Sequence, residues 1–315
     1  MFALARQLAK IGVLGLNRRN AEYTLKHNLR RLYPLVDDKV TTKQLAQHAG
    51  IAVPELYGVV KENYQVRTVP EMLEQYSDFV VKPARGSGGD GILVISGRSR
   101  QMYRNANGSL LSREELCYHV SNILSGVYSL GGQPDKALIE YRVRPDPLFE
   151  VISYQGVPDI RVIVFLGVPV MSMVRLPTRM SGGKANLHQG ALGAGIDITN
   201  GITLSAVWRN DIIDEHPDTG NTIMGVKIPS WEALLRLAAR CYELTGLGYQ
   251  GVDIVLDKDK GPLILELNAR PGLNIQIANR AGLFPRLRSV EENYKALQGV
   301  EDRVAFAQRN FGANI

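Results

Sequence analysis

Three side chains near the end of the chain have the types and spacing to hold a hard cation: Asp253, Glu266 and Asn268. Residues 252–256 and 263–267 are apolar runs, and the polar 257–262 between them reads as a turn. If Asp257 pairs with Pro262, Asp253 falls directly opposite Glu266. Strand side chains alternate, so Glu266 and Asn268 share a face while Leu263, Leu265 and Leu267 take the other. Two carboxylates and an amide oxygen then converge, a donor set suited to Mg²⁺ on nucleotide phosphates. The plainer alternative is the solvated polar face of an ordinary hairpin.

A second constellation lies upstream. Phe79-Val80-Val81-Lys82-Pro83-Ala84-Arg85 leads into Gly86-Ser87-Gly88-Gly89-Asp90-Gly91, and Ile92-Leu93-Val94-Ile95 follows. The loop matches G-x-G-x-x-G, but a dinucleotide fingerprint continues into a helix. Here a strand-like run follows. The Gly-Lys-Ser/Thr ending of a Walker loop is absent, and a protein kinase lysine would come after the loop, whereas Lys82 precedes it. The unit reads as strand–loop–strand, with glycine N–H groups able to wrap phosphate oxygens and Lys82 adding a point charge. A flexible surface hairpin is the alternative, although so many glycines weaken a hairpin unless something compensates.

The elements that must position these groups come from an ordinary globular composition. The chain has 315 residues, 45% hydrophobic and 22% charged, long enough for a sizeable core. Cys117 and Cys241 offer no disulfide framework and no metal spacing, so a reducing, cytoplasmic setting is expected. No apolar run spans a bilayer. Residues 2–16 are interrupted by Arg6 and Lys10 and lack the cleavage pattern of a secretory signal. The net charge of +6 belongs to an N-terminal arm: Arg6, Lys10, Arg18, Arg19, Lys26, Arg30 and Arg31 face one acid, Glu22, and the rest of the chain sums to zero. Leu4, Leu8 and Ile11 share one helical face with Arg6 and Lys10 opposite. Such a helix suits an anionic membrane, a nucleic acid, an acidic partner, or docking on the body with its basic face in water. No RNA-binding or zinc-finger signature is present, and no specific nucleic acid partner is expected.

Helices are predicted at 41–49, 71–76, 113–125, 231–245 and 291–309. Strands are predicted within 51–98, at 137–143, and as a hairpin of 160–166 with 169–174 around Gly167. Residues 181–201, rich in Gly and Asn, read as a long functional loop. The mixture is α+β, without a regular βαβ alternation.

In order along the chain, Asp38-Lys39, Val81-Lys82-Pro83 with its glycine loop, Ile139-Glu140-Tyr141, Asp159-Ile160-Arg161 and Glu266-Leu267-Asn268 resemble the motif series of the ATP-grasp superfamily. Asn186-Leu187-His188-Gln189-Gly190 and Glu266-Leu267-Asn268-Ala269-Arg270-Pro271-Gly272-Leu273 look like the RimK-type α-L-glutamate ligases, in an α-L-glutamate ligase-related branch. The resemblance covers about residues 33–285. It implies an α+β ATP-grasp fold, two α+β subdomains clamping ATP, with a shortened N-terminal region. The expected divisions are a basic arm at 1–34, an ATP-grasp domain at 35–290 with a glycine-loop lid at 79–138 and a metal-binding subdomain at 139–290, and a C-terminal helix at 291–315.

The same resemblance implies the ligands and their residues. ATP binds with Mg²⁺, as a pair of ions that Mn²⁺ can replace. Lys39 and Lys82 would contact the α- and β-phosphates, with Gly86, Ser87, Gly88, Gly89, Asp90 and Gly91 closing over them. Glu140, Tyr141 and Val143 would border the adenine, and Asp146 (with Glu150 as the alternative) would meet the ribose. Asp253, Glu266 and Asn268 would hold the metal, and Arg161 and Arg270 the transferred phosphoryl group and acyl phosphate. Arg175, Asn186 and His188 fall to the acceptor or carboxylate side. Plainer readings stay open: a solvated Lys39, an Arg161 paired with Asp159, and a His188 held only by structural hydrogen bonds. The implied activity is an ATP-dependent carboxylate–amine ligase acting on a small-molecule or peptide carboxylate and an amine acceptor. Its rivals are an ATP-grasp kinase and a non-catalytic nucleotide-binding module. With about 35 residues before Lys39, the region that shapes the acceptor pocket in this superfamily is short, which leaves the acceptor's identity open.

Overall fold

The computed structural model describes residues 2–86, 88–209 and 211–313. It contains two compact units. The smaller comprises Asp38–Gln44 and Val53–Val143; the larger comprises the residues up to Asp37, Leu45–Ala52, and those from Arg144 onward. The helices of nine residues or more are α1 (Phe2–Lys10), α2 (Lys39–His48), α3 (Arg113–Leu124), α4 (Trp231–Thr245), α5 (Phe284–Asn293) and α6 (Val300–Asn310).

The smaller unit is built on an antiparallel sheet of β1 (Leu56–Val60), β2 (Phe79–Pro83), β3 (Leu93–Ser99), β4 (Met102–Asn105), β5 (Leu110–Leu111) and β6 (Ala137–Glu140). Their order is β1-β6-β2-β3-β4-β5. Alternation gives β2 and its neighbour β6 one apolar face: Phe79 and Val81 of β2 and Ala137 and Ile139 of β6 join one core. Helix α3 covers that face with Leu116, Val120, Ile123 and Leu124, the i, i+4, i+7, i+8 stripe of an amphipathic helix. A capping box starts it: Ser112 Oγ accepts from Glu115 N at 3.1 Å, and Glu115 Oε2 accepts from Ser112 N at 2.7 Å. The opposite face carries Leu138 and meets Val40 at the start of α2.

The larger unit is a seven-stranded antiparallel sheet of β7 (Asp159–Phe165), β8 (Val168–Leu176), β9 (Leu192–Ile196), β10 (Thr203–Trp208), β11 (Asp211–Ile213), β12 (Tyr249–Asp257) and β13 (Gly261–Asn268), in the order β11-β10-β9-β8-β7-β12-β13. Every residue of β9 and β12 is buried, so these strands are covered on both faces. Helix α4 contributes Leu234, Leu235, Ala238 and Cys241 to the core, and α6 packs on α4 and β8. The chain's arm joins this unit from Gly12 onward. Leu14 is buried and bonds to the Gln276 amide, and Tyr23 sits among Phe165 and Tyr249. The described side chains of α1, Arg6 to Lys10, are exposed, as is Ile11. Among the described residues no helix is long and apolar enough to cross a membrane.

Three sequence expectations change. Residues 192–196, expected within a loop, form the buried strand β9. Gly195 marks a close approach rather than mobility: a Cβ there would stand 2.6 Å from the Ala278 carbonyl oxygen. The terminal helix expected at 291–309 is two helices, α5 and α6, separated by a 3₁₀ turn at Tyr294–Ala296 and by Gly299. The helix expected at 71–76 lies earlier, at Val69–Met72, after a 3₁₀ turn at Asn63–Thr68, with Pro70 in its first turn.

The β12–β13 hairpin pairs Asp253 with Glu266, as expected, but not through the expected register, because its turn is tighter. Asp257 pairs with Gly261, and Leu256 with Pro262. A bulge at Leu265, between the Asp253–Glu266 and Ile254–Ile264 pairs, absorbs the one-residue offset. Simple alternation ends there: Leu263, Ile264 and Leu267 are buried, and Leu265 only partly. The Asp257 carboxylate closes the turn, accepting from the N–H groups of Asp259 and Lys260 at 2.9 Å each.

Candidate functional site

In the smaller unit, Lys82 of β2 lies opposite Leu138 of β6, and Val80 opposite Glu140. Cross-strand partners share a face, so Lys82 and Glu140 are diagonal neighbours on the face away from α3. Both are almost fully buried, and Lys82 Nζ meets Glu140 Oε1 at 2.6 Å. A third charge, Lys43 of α2, meets Glu140 Oε2 at 2.7 Å and also donates to the Pro54 carbonyl. Burial pushes the Glu140 carboxyl up, but Lys82 and Lys43 outweigh it and hold it below the usual carboxylate range.

Lys43 carries the opposite strain. Burial pushes its ammonium down to about 8, Glu140 opposing and Lys82 adding to the shift. In the unfolded chain a lysine titrates near 10.4. Between about pH 8 and that value the unfolded chain therefore binds more protons than the folded one, so this group's contribution to stability rises with pH. Urea unfolding followed across that window should show wild type gaining stability relative to Lys43→Met, which has no such proton to lose. A wild-type-minus-variant difference that stays flat with pH would mean Lys43 is solvated.

Lys39 opens α2. Its N–H bonds to the Ala84 carbonyl at 3.1 Å, and its ammonium donates to the Gly86 carbonyl at 2.9 Å. Asp38 caps the helix: Oδ1 accepts from Val40 N and Thr41 N at 3.0 and 3.2 Å, and Oδ2 from Lys136 Nζ at 2.7 Å. The glycine loop joins β2 to β3, and no helix follows it. Gly88, Gly89 and Gly91 take positive φ. At Gly91 glycine is required twice over, since φ is +74° and a Cβ would stand 2.5 Å from the Tyr128 ring. Asp90 is exposed, and Ser87 lies outside the described residues. Tyr141 and Val143 follow β6 and are buried, with Tyr141 N bonded to the Glu55 carbonyl at 2.8 Å. The fold thus brings Lys39 onto the loop at Gly86, and Lys43 and Lys82 onto Glu140.

The larger unit carries a ladder of charges on adjacent strands. Asp253 of β12 faces Arg161 of β7, and Asp159 of β7 faces Arg175 of β8. Arg161 grips Asp253 through both ends of its fork, Nε to Oδ1 at 2.7 Å and Nη2 to Oδ2 at 2.6 Å. Arg175 grips Asp159 in the same way at 2.5 Å for each bond, and reaches Asp253 Oδ2 at 2.9 Å. Asn268 Nδ2 donates to the same Oδ2 at 3.3 Å. Burial pushes the Asp253 carboxyl up, but Arg161 and Arg175 overcome it and bring it to about 2. The alternative pairing of Arg161 with Asp159 on its own strand is not the one formed. Each arginine is instead matched across strands.

Glu266 sits directly opposite Asp253 on β13, and Asn268 two residues on. Hard oxygens on neighbouring strands suit a small divalent cation in type. Asn268 spends its N–H on Asp253, which leaves Oδ1 as its ligand atom. A carboxylate has about four lone-pair directions, and Asp253 gives its own to two guanidiniums and an amide. Glu266 and Asn268 carry oxygens of the type such a cation takes, while the Asp253 oxygens are engaged by both arginines and the Asn268 amide. Among the described residues no group of three or more His, Cys, Asp or Glu is arranged to hold a metal.

The remaining residues are more scattered. Arg270 is exposed and lies over the Tyr33 ring at 5.0 Å. Asp146 Oδ1 accepts from Leu148 N at 2.9 Å, a local cap on the short helix Leu148–Ile152. Asn186 Oδ1 accepts from His188 N at 3.0 Å, and His188 is exposed. Sequence reasoning missed Lys43 and the pairing of Asp159 with Arg175. A signal for Lys43 was present: it stands four residues after Lys39, one turn along the same helix face.

A family model described as sugar-transfer associated ATP-grasp matches residues 18–292. No curated protein matches the sequence. Among solved structures, a biotin carboxylase–β,γ-ATP complex from Campylobacter jejuni is similar at a TM-score of 0.54 and 16% identity, over 92% of this chain and 55% of that one. The ATP-grasp ligase PsnB with a minimal precursor reaches a TM-score of 0.46 at 15% identity over 84% of this chain; the match spans 63% of the PsnB chain, less than two thirds of it. The D-alanine–D-alanine ligase of Bacillus anthracis reaches 0.42 at 14% identity, over 87% of this chain and 68% of that one. At such identities the likeness is one of fold. The expected ATP-grasp fold, two antiparallel sheets with flanking helices, is the fold observed.

Proposed function

Since the chain belongs to the sugar-transfer associated ATP-grasp family, we propose that it is an ATP-dependent carboxylate–amine ligase forming an amide bond through an acyl phosphate. The observation that supports this most is the Lys39 ammonium on the Gly86 carbonyl of the glycine hairpin, with Lys82 on the strand that leads into it: two ammonium groups and backbone N–H groups suit a polyphosphate. Phosphoryl transfer asks little covalent chemistry of a protein; it needs positioning and neutralised charge.

In the proposed cycle Lys39 and Lys82 hold the α- and β-phosphates, and Gly86 to Gly91 cover them. Tyr141 and Val143 border the adenine, and Asp146 meets the ribose. Arg161 and Arg270 meet the transferred phosphoryl group. Glu266 and Asn268, with Asp253, would hold Mg²⁺, which when bound neutralises phosphate charge. A substrate carboxylate oxygen attacks the γ-phosphorus, and ADP leaves. An amine then attacks the acyl carbon, and inorganic phosphate leaves. No side-chain nucleophile is needed. The RimK-like stretches 186–190 and 266–273 support glutamate or another amino acid as one partner, with Asn186 and His188 on the acceptor side.

The test is to incubate the protein with ATP, Mg²⁺ and mixtures of amino acids and peptides. ADP, free phosphate and an acceptor heavier by one amino-acid residue are expected. A phosphorylated acceptor without free phosphate would make the protein a kinase. ATP binding with no turnover under any mixture would make it a nucleotide-binding module.

A further inference from the structure

Lys82, Glu140 and Lys43 form a closed, buried set of two ammonium groups on one carboxylate, with one contact at 2.6 Å and the other at 2.7 Å. Lys82 and Glu140 alone would be neutral and mutually satisfied. A lysine in that state has little reason to leave its partner for a phosphate, because the carboxylate left behind would be buried and unpaired. Lys43 changes this balance. It sits on the other oxygen of Glu140 and is anchored to the Pro54 carbonyl.

Resting on the nucleotide role proposed for Lys82, we infer that Lys43 is a positioning residue: it keeps Glu140 paired while Lys82 moves onto a nucleotide phosphate. The set then carries one surplus positive charge for the incoming anion. Lys43 touches no substrate in this scheme; it acts by relieving Lys82 of its counterion. The charged groups facing it are Glu140 from β6 and Lys82 from β2, and it remains protonated below about pH 8, so the arrangement is complete at neutral pH.

The test uses ADP as the probe, titrated by calorimetry into wild type, Lys43→Met, Glu140→Gln and the double variant. Lys43→Met is expected to bind ADP about 10- to 100-fold more weakly, the scale of one charge-assisted contact. Glu140→Gln is the reference for the double variant, since it carries any effect on the adenine border and its neutral amide does not hold Lys82 back. The double variant should recover to the affinity of Glu140→Gln, because without the carboxylate Lys43 has nothing to relieve. A role confined to structure predicts no such recovery. Lys43→Met binding like wild type, or a double variant weaker than Glu140→Gln, would overturn the inference while leaving the nucleotide reading intact. Wild type failing to bind ADP at all would instead remove the nucleotide reading. If Lys43→Met does not fold, the double variant is compared with Glu140→Gln: equal affinity supports the role, and weaker binding in the double overturns it.

Discussion

Asp253→Ala is expected to cost about 3–5 kcal/mol of folding stability, the scale measured when one partner is cut from a buried ion pair. The carboxylate is 3% exposed and is held by both arginines of the ladder. Removing it strands the Arg161 guanidinium, whose fork has no second carboxylate, and unbalances Arg175, which retains Asp159. Asp253→Asn keeps the shape and one good acceptor and should cost less. Urea unfolding measures both. A loss below about 1 kcal/mol in Asp253→Ala, the range of an exposed pair, would mean the arginines find water. This also bears on the metal site. Loss of turnover in Asp253→Ala says little about a cation, because the ladder fails with it. Glu266→Ala is the cleaner probe, and retained turnover there would exclude the metal assignment.

Lys82→Ala is expected to lower ADP formation about 10²- to 10³-fold, by analogy with removing one preorganised cation or donor from a transition state. The fold should survive it better than it survives Asp253→Ala, because Lys43 still pairs with Glu140. Measured together, a preserved melting temperature and a collapsed rate place the effect in chemistry or nucleotide binding. A variant turning over near the wild-type rate would show that the lysine before the glycine hairpin does not carry the phosphate.

How far the sequence foretold this molecule depends on the range of each cue. Asp253 opposite Glu266 was expected from an Asp257–Pro262 register that the tighter turn does not form, and the pairing holds because the bulge restores the offset. The bulge at Leu265 was not legible, since an apolar leucine looks the same in or out of the ladder. The strand–loop–strand character of the glycine motif was legible from the β-branched run after it. Strand β9 was hidden because Gly193 and Gly195 look like loop residues, and only the approach of Ala278 explains them. The partner of Arg161 was misplaced for a related reason. Asp159 is two residues away, whereas Asp253 arrives from 92 residues downstream by a strand pairing that no local pattern announces. Lys43 carried the cue of its spacing from Lys39, but spacing alone does not say which face of α2 is buried.

The charge ladder also polices how the larger sheet is threaded. Strands β7 and β12 are largely runs of Val, Ile and Leu, and such runs can slide past one another by two residues and still bury the same faces. Sliding one way sets Asp253 against Asp159, carboxylate on carboxylate; sliding the other way sets it against Ile163 and leaves Arg161 against Val255. On the neighbouring seam, a like slip brings Arg175 against Arg161. Each mis-threaded sheet would bury clashing or solitary charges, so the polar residues pick out a single alignment from among greasy strands that are otherwise interchangeable.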